Sequence, residues 1–551
     1  NRAGIFLHLM PIFGATMAML IFNERFMFYH ILGAIFIVIG MTSLKFSDSD
    51  VSIDSPSIDR EQAISIAEEF LSANDIELAA GYEGYAMITT TYPGSRFIWE
   101  ELGSDTFNDL LGSYVLGPRW KVRFAKFDGE VETRAREVVV SVDFEGKPIR
   151  FYNKFPENEA GAILSQAEAK IIADQALSDH FNLNQSMVSL VSAIESQKPE
   201  RLDWIFTYKE DKNVSYEGSQ LESVITVSGD QLAGFSQSIY VPEEWSRMIR
   251  DREGFSGMLA MLFSIPGGLF IGGLLLIRSF KMLMDSKLNL RKGVFFGAII
   301  FVSAIVAFFN DSSFFMTLPT DQPIGNLMTT MYISAMIGFL VVALAQVLFF
   351  GGLGTMLKPT LNRSSISDSI VGGFIAALLA TTFAMIAGSF QLDLNPNFPR
   401  INLSGLYYPI IDTFNIYGGF VAVAFSLFFA KTLFEITDGY ANTVKSNIYG
   451  VLLAMFVYGG TIEMQYTIGP SLIAIILYST LLFLIYKFII KNNYMLIPFM
   501  VLFERIISTF SSNELGAFNS YPNEAIFMVV SYLVGIVVWV QLTKFFFDTD
   551  Q

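Results

Sequence analysis

Long apolar runs and a polar interval divide this chain before any motif is considered. Runs long enough to span a bilayer occur at about 4–22, 27–46, 257–277, 293–309, 328–351, 369–389, 413–434, 447–462, 469–487, 494–510 and 524–543. They predict a hairpin of two transmembrane helices (1–46), a soluble insert (47–256), a membrane domain of nine helices (257–543) and a short tail (544–551), about 11 spans in all. Inside the insert the period changes. REQAISIAEEFL (60–71) and QAEAKIIADQAL (166–177) share apolar positions, Ala63 with Ala169, Ala67 with Ala173 and Leu71 with Leu177, at the spacing of one helical face. Alternating, strand-like text follows each: RWKVRF (119–124) matches DWIFTY (203–208), and REVVVSVDFEGKPIRFY (136–152) matches LESVITVSGDQLAGFSQ (221–237). The expected fold is therefore a mainly α polytopic membrane protein carrying an α+β insert of two helix-plus-hairpin repeats, about 58–156 and 163–242.

Composition strengthens the membrane assignment. Of 551 residues 52% are hydrophobic, 53 are Phe and only 16% are charged, which is too apolar for a soluble protein of this length. The net charge of −16 is uneven: residues 47–256 hold 19 Lys and Arg against 37 Asp and Glu, or −18, and the rest of the chain is +2. An acidic exposed domain repels phosphodiester backbones, which argues against nucleic acid as a partner. The chain has no Cys, so disulfides, thiolate metal sites and Cys nucleophiles are excluded. No nucleotide-cradling motif is present, and no cofactor is implied. The start at Asn1 carries no signal-peptide pattern and reads as a piece of a longer chain.

Basic residues in short loops orient the helices, because they resist translocation. RSFKMLMDSKLNLRK (278–292) holds five Lys or Arg against one Asp and is placed in the cytoplasm, as are 357–363, 431–445, 486–493 and the C-terminal tail. The loops 310–323, 391–405 and 511–524 then fall outside, together with residues 47–256. Trp245 precedes the next span, where an interfacial aromatic is expected. Gly268 and Gly272 have the GxxxG spacing of a helix-packing motif.

Carboxylates at membrane depth or at its edge are costly and mark candidate functional groups. They are Asp412, Glu435, Asp438, Glu463 and Glu504, of which Glu504 adjoins Arg505 and is expected to pair locally or snorkel. A proton or ion path through Glu435, Glu463 and Glu504 is an open alternative.

Three resemblances accompany these readings. Pro11, the turn Asn23, Glu24 and Arg25, and the small residues Gly33 and Gly40 make the N-terminal hairpin similar to the last two helices of an EamA-type drug/metabolite transporter. That resemblance implies a cytoplasmic end to the hairpin, opposite to the orientation set by the five-charge loop, which takes precedence here. The two repeats of the insert resemble PepSY-like modules. Residues 245–543, through YYPIIDTFNIYGGFVAVAFSLFFAKTLFEITDGYA, IYGVLLAMFVYGGT and IYKFIIKNNYMLIPFMVLFERIIST, resemble the CPBP family of intramembrane proteases.

The last resemblance implies paired glutamates followed by an arginine, a Phe-x-x-x-His and a later His-x-x-x-Asn or Asp. Those slots fail here. The first reads Phe434, Glu435, Ile436, Thr437, Asp438, Gly439; the second ends on Gly460 rather than an imidazole; the third falls near Phe499 and Phe503. No His follows His180, so the membrane domain has neither imidazole nor thiolate for a metal. Glu435 thus reads as the remnant of a catalytic pair. The expectation is a non-catalytic binding, scaffold or regulatory protein of a bacterial inner membrane, with the lipid bilayer and another envelope protein or peptide as partners. A transporter fusion and an active carboxylate protease are the alternatives.

Overall fold

A computed structural model describes residues 57–89, 94–130, 134–210, 218–310, 313–320, 322, 324–357, 366–388, 396, 416–439, 443–459, 468–490, 493–511 and 522–547. The predicted hairpin (1–46), Asp412, Gly460, Glu463 and residues 548–551 lie outside the described residues.

The insert is built from two equivalent units. Each opens with a helix, α1 (Arg60–Ala73) and α3 (Gln166–Phe181), and continues as four antiparallel strands. These are β1 (Glu83–Thr89), β2 (Arg119–Ala125), β3 (Glu137–Val142) and β4 (Pro148–Lys154), then β5 (Val188–Gln197), β6 (Leu202–Glu210), β7 (Gln220–Ser228) and β8 (Gln231–Tyr240). The sheet order β1-β2-β3-β4-β8-β7-β6-β5 joins the units through β4 and β8, so that equivalent strands lie at mirrored positions. The expected helix-plus-hairpin unit is thus a helix plus four strands.

Local chemistry starts both helices in the same way. Asp59 with Gln62, and Ser165 with Glu168, form reciprocal capping boxes that satisfy backbone donors at the helix N-termini. The predicted stripe of Ala63, Ala67 and Leu71, and its equivalent Ala169, Ala173 and Leu177, is buried in both. Small side chains let the helices lie close to the sheet, whose bulk is supplied by Trp120, Val122 and Phe124 in β2 and Trp204, Phe206 and Tyr208 in β6. The matched tryptophans also match in bonding. Trp120 Nε1 donates to the Ile58 carbonyl at 3.2 Å and Trp204 Nε1 to the Leu164 carbonyl at 3.0 Å, each tying a strand to the chain just before its helix.

The first unit carries an insertion between β1 and β2. Helical turns Ser95–Phe97 and Ile98–Leu102 lead into α2 (Gly103–Leu110), and together they build a second small core with Leu221, Ile239, Trp245 and Ile249. Trp245 is therefore a core residue here, not an interfacial one. It is buried, meets Phe97 edge-on at 5.1 Å, and donates its indole N–H to Glu101 at 2.8 Å.

From Trp245 the chain enters the membrane region without a break. Helix α4 (Glu243–Met284) is 42 residues long, about 63 Å, and its apolar part is Ile265–Met284. Eight helices follow: α5 (Leu290–Asn310), α6 (Ile324–Met356), α7 (Ile366–Gly388), α8 (Ile416–Asp438), α9 (Thr443–Tyr458), α10 (Ile468–Leu484), α11 (Leu496–Ser511) and α12 (Pro522–Phe547). Among the described residues six helical segments are long and apolar enough to cross a membrane, against the eleven spans expected from the sequence. The protein is a helical membrane protein with a soluble sheet domain. The shortfall has two sources: the hairpin lies outside the described residues, and α9, α11 and the apolar part of α12 are too short to count.

Helix packing supports one half of the GxxxG pair, since a Cβ at Gly272 would come within 3.1 Å of the Phe425 ring on α8. A Cβ added at Gly268 would meet open space, whereas one at Gly267 would overlap the carbonyl oxygen of Phe456 on α9. The close approach is made at Gly267.

Candidate functional site

Glu435 lies near the end of α8, one helical turn from Lys431 and opposite Arg278 of α4. Its carboxylate accepts from Arg278 Nη1 at 3.0 Å and pairs with Lys431 Nζ at 3.1 Å. Both carboxylate oxygens are thereby engaged by cations. Arg278 also lies over the Phe428 ring at 5.5 Å, which fixes the guanidinium against α8. Asp438 is exposed at the same end of the helix, followed by Gly439. The slot residues Glu435, Asp438 and Gly439 are close because they share one turn, but the groups around Glu435 make a two-cation clamp rather than an acid pair. Gly460 and Glu463 lie outside the described residues.

Glu504 belongs to a different place. It is partly buried on α11, and the phenols of Tyr458 and Tyr486 lie within its electrostatic reach. Those phenols form a short hydroxyl chain with α8: Ser426 Oγ to Tyr458 Oη is 3.2 Å, and Tyr458 Oη to Tyr486 Oη is 3.3 Å. Phe429 closes the cluster by meeting both tyrosine rings edge-on at 4.9 Å. Tyr486 is fully buried and sits in the π-helical turn Ile485–Ile490 that ends α10, a geometry common at functional sites.

Ser426 is nine residues before Glu435 on the same helix, an axial distance of about 14 Å. The hydroxyl cluster and Glu435 are therefore separate sites, and no described contact joins Glu435 to Glu504. Sequence reading selected the carboxylates and missed Ser426, Tyr458 and Tyr486. The available signal was the presence of hydroxyl-bearing residues inside apolar runs, which carries no periodicity of its own.

In chemical terms the cluster offers hydroxyls and one carboxyl group in a water-poor interior. It can hold a polar group by hydrogen bonds or relay a proton, but it has no nucleophile paired with a base of the Ser–His or Cys–His kind. Among the described residues no three His, Cys, Asp or Glu side chains come together as metal ligands. No known family, curated protein or solved structure matches the chain. The resemblances given above rest on their quoted motifs alone.

Proposed function

We propose that this is a non-catalytic, multi-pass protein of a bacterial inner membrane, related to the CPBP intramembrane proteases but lacking their catalytic set. Its sheet domain lies outside the cytoplasm and recognises a membrane or envelope protein or a peptide. The observation that carries this reading is the clamp on Glu435, whose two oxygens are held by Arg278 and Lys431. A carboxylate engaged in this way is a poor general base, because taking up a proton would break both pairs.

The continuity of α4 supports the recognition role. Arg96 bridges Glu100 at 2.6 Å and Glu253 at 2.5 Å, and Arg252 reaches Glu100 at 3.2 Å, so the sheet domain is cross-braced to the helix that enters the membrane. Binding at the sheet is thereby mechanically connected to the bundle. A second reading, movement of protons or a polar solute through the bundle, is favoured only by the Ser426–Tyr458–Tyr486 chain beside Glu504.

The test is Glu435→Gln in the full chain, assayed in membranes for cleavage of co-expressed candidate substrates and for folding. Both Glu435 and Arg278 are about two-fifths exposed, so losing the pair should cost under about 1 kcal/mol. The expected result is an unchanged substrate pattern with near-normal folding. Cleavage present in the parent chain and abolished by E435Q would overturn the non-catalytic reading.

A further inference from the structure

The sheet has two faces, and only one is explained by the core. The helices cover the face that carries Trp120, Val122, Phe124 and Phe151. Side chains alternate along a strand, so Arg119, Lys121 and Arg123 of β2 and Arg150 and Lys154 of β4 share the opposite face. Their register brings them together. Lys121 pairs across with Ser141 of β3, and Ser141 with Arg150 of β4, so Lys121 and Arg150 flank one small residue about 10 Å apart across the sheet. Arg119 and Arg123 lie on either side of Lys121, each about 7 Å along β2.

Two carboxylates share this half-face, and both have partners. Glu137 pairs with Arg123 at 2.9 Å and accepts from Thr320, and Glu83 accepts from the Tyr85 hydroxyl at 2.7 Å. Lys121 and Arg150 have no ion pair among the described residues, and their cationic neighbours make this a site of uncompensated charge. Burial, and then Arg123, Arg119 and Arg150, hold the Lys121 ammonium below its usual pKa, as expected where like charges converge with too few anions. Such a patch is out of character in a domain of net charge −18.

The direction of this face is set by the membrane domain itself. The segment after α5 returns through the 3₁₀ turn Ser313–Met316 to α6, so it lies at the mouth of two membrane helices. It docks on this same side of the sheet: Arg123 donates to the carbonyls of Phe315 at 2.7 Å and Leu318 at 2.8 Å, and Tyr85 stacks on Phe315 at 4.7 Å. The basic half-face is thereby the side of the sheet that meets the segment joining two membrane helices.

We propose that Lys121 and Arg150 form a binding site for the phosphate of an anionic phospholipid headgroup. Arg and Lys at this spacing can share one phosphate through charge-assisted hydrogen bonds. Arg123 keeps its position on the loop and takes no part. The site is independent of the fate of the protease residues, since it lies wholly on the sheet.

The test uses the full chain in uncharged maltoside micelles, titrated with dihexanoyl phosphatidylglycerol, dihexanoyl phosphatidylcholine and inorganic phosphate, with affinity read by calorimetry. The expected result is saturable binding of the glycerol lipid, competition by millimolar phosphate, and at least about tenfold weaker binding in Lys121→Gln/Arg150→Gln. The charge-keeping variant Lys121→Arg/Arg150→Lys should bind within a few-fold of the parent and serves as the folding control. Equal affinity for the two lipids, or equal affinity of the parent and the Gln variant for the glycerol lipid, overturns the proposal. Binding of phosphate without the glycerol lipid overturns the lipid source.

Discussion

Trp204 is held by a bond as well as by its bulk. Its indole N–H reaches the Leu164 carbonyl, as Trp120 reaches Ile58, so Trp204→Phe keeps most of the packing and leaves a half-buried acceptor without this donor. That change should lower the stability of the sheet domain by about 1–2 kcal/mol, measured by denaturant unfolding followed in the near ultraviolet. His180 sets a pH dependence. It stacks on Phe235 at 4.1 Å, and burial lowers its pKa below the ordinary value near 6.5. Below that value the unfolded chain takes up a proton that the folded chain refuses, so stability falls as pH drops from about 6.5 to the folded pKa. His180→Phe should remove this slope, and unfolding curves between pH 5 and 7 would show it. At this scale the sequence was most readable where a face repeats, as at Ala63, Ala67 and Leu71. It was least readable at Ser426 and Tyr458, whose role comes from neighbours distant in the chain.

Among the elements, the strands missed by pattern reading are the two that open each unit. In β1, Gly84 stands where a side chain would press on Ile64 and Phe124, so the close approach of α1 removes a residue that would have marked a strand. In β5, a bulge between Leu190 and Ser192 interrupts the alternation, and its position at the sheet edge leaves apolar Val191 and Ile194 exposed. The membrane helices were legible as apolar runs, but their ends were not. Helix α4 continues from the soluble core into the apolar segment, with Trp245 and the Arg96–Glu100–Arg252 brace replacing an expected interface. Packing inside the bundle separates two neighbouring glycines. Gly267→Ala should force α4 and α9 apart and lower the midpoint of thermal unfolding in detergent, whereas Gly268→Ala, which faces open space, should leave it unchanged.

At the scale of the whole molecule, two braces bind the sheet domain to the membrane helices. One is the start of α4; the other is the 313–320 segment, held by Arg123, Glu137 and Tyr85. The second brace ties the segment between α5 and α6 directly to β2 of the sheet. The proposed binding role depends on these contacts, because a ligand on a loosely tethered domain would leave the bundle indifferent.

The most direct measurement exploits a chain without cysteine. With Tyr85→Cys and Phe315→Cys introduced together, a short bifunctional thiol reagent added to intact membranes should join the two positions rapidly, since the native rings stack at 4.7 Å. Arg123→Ala in the same background should slow the reaction severalfold by releasing the segment. Failure of the pair to cross-link in the presence of Arg123, with both thiols reactive to a single-ended reagent, would contradict the coupling of sheet and membrane on which this account rests.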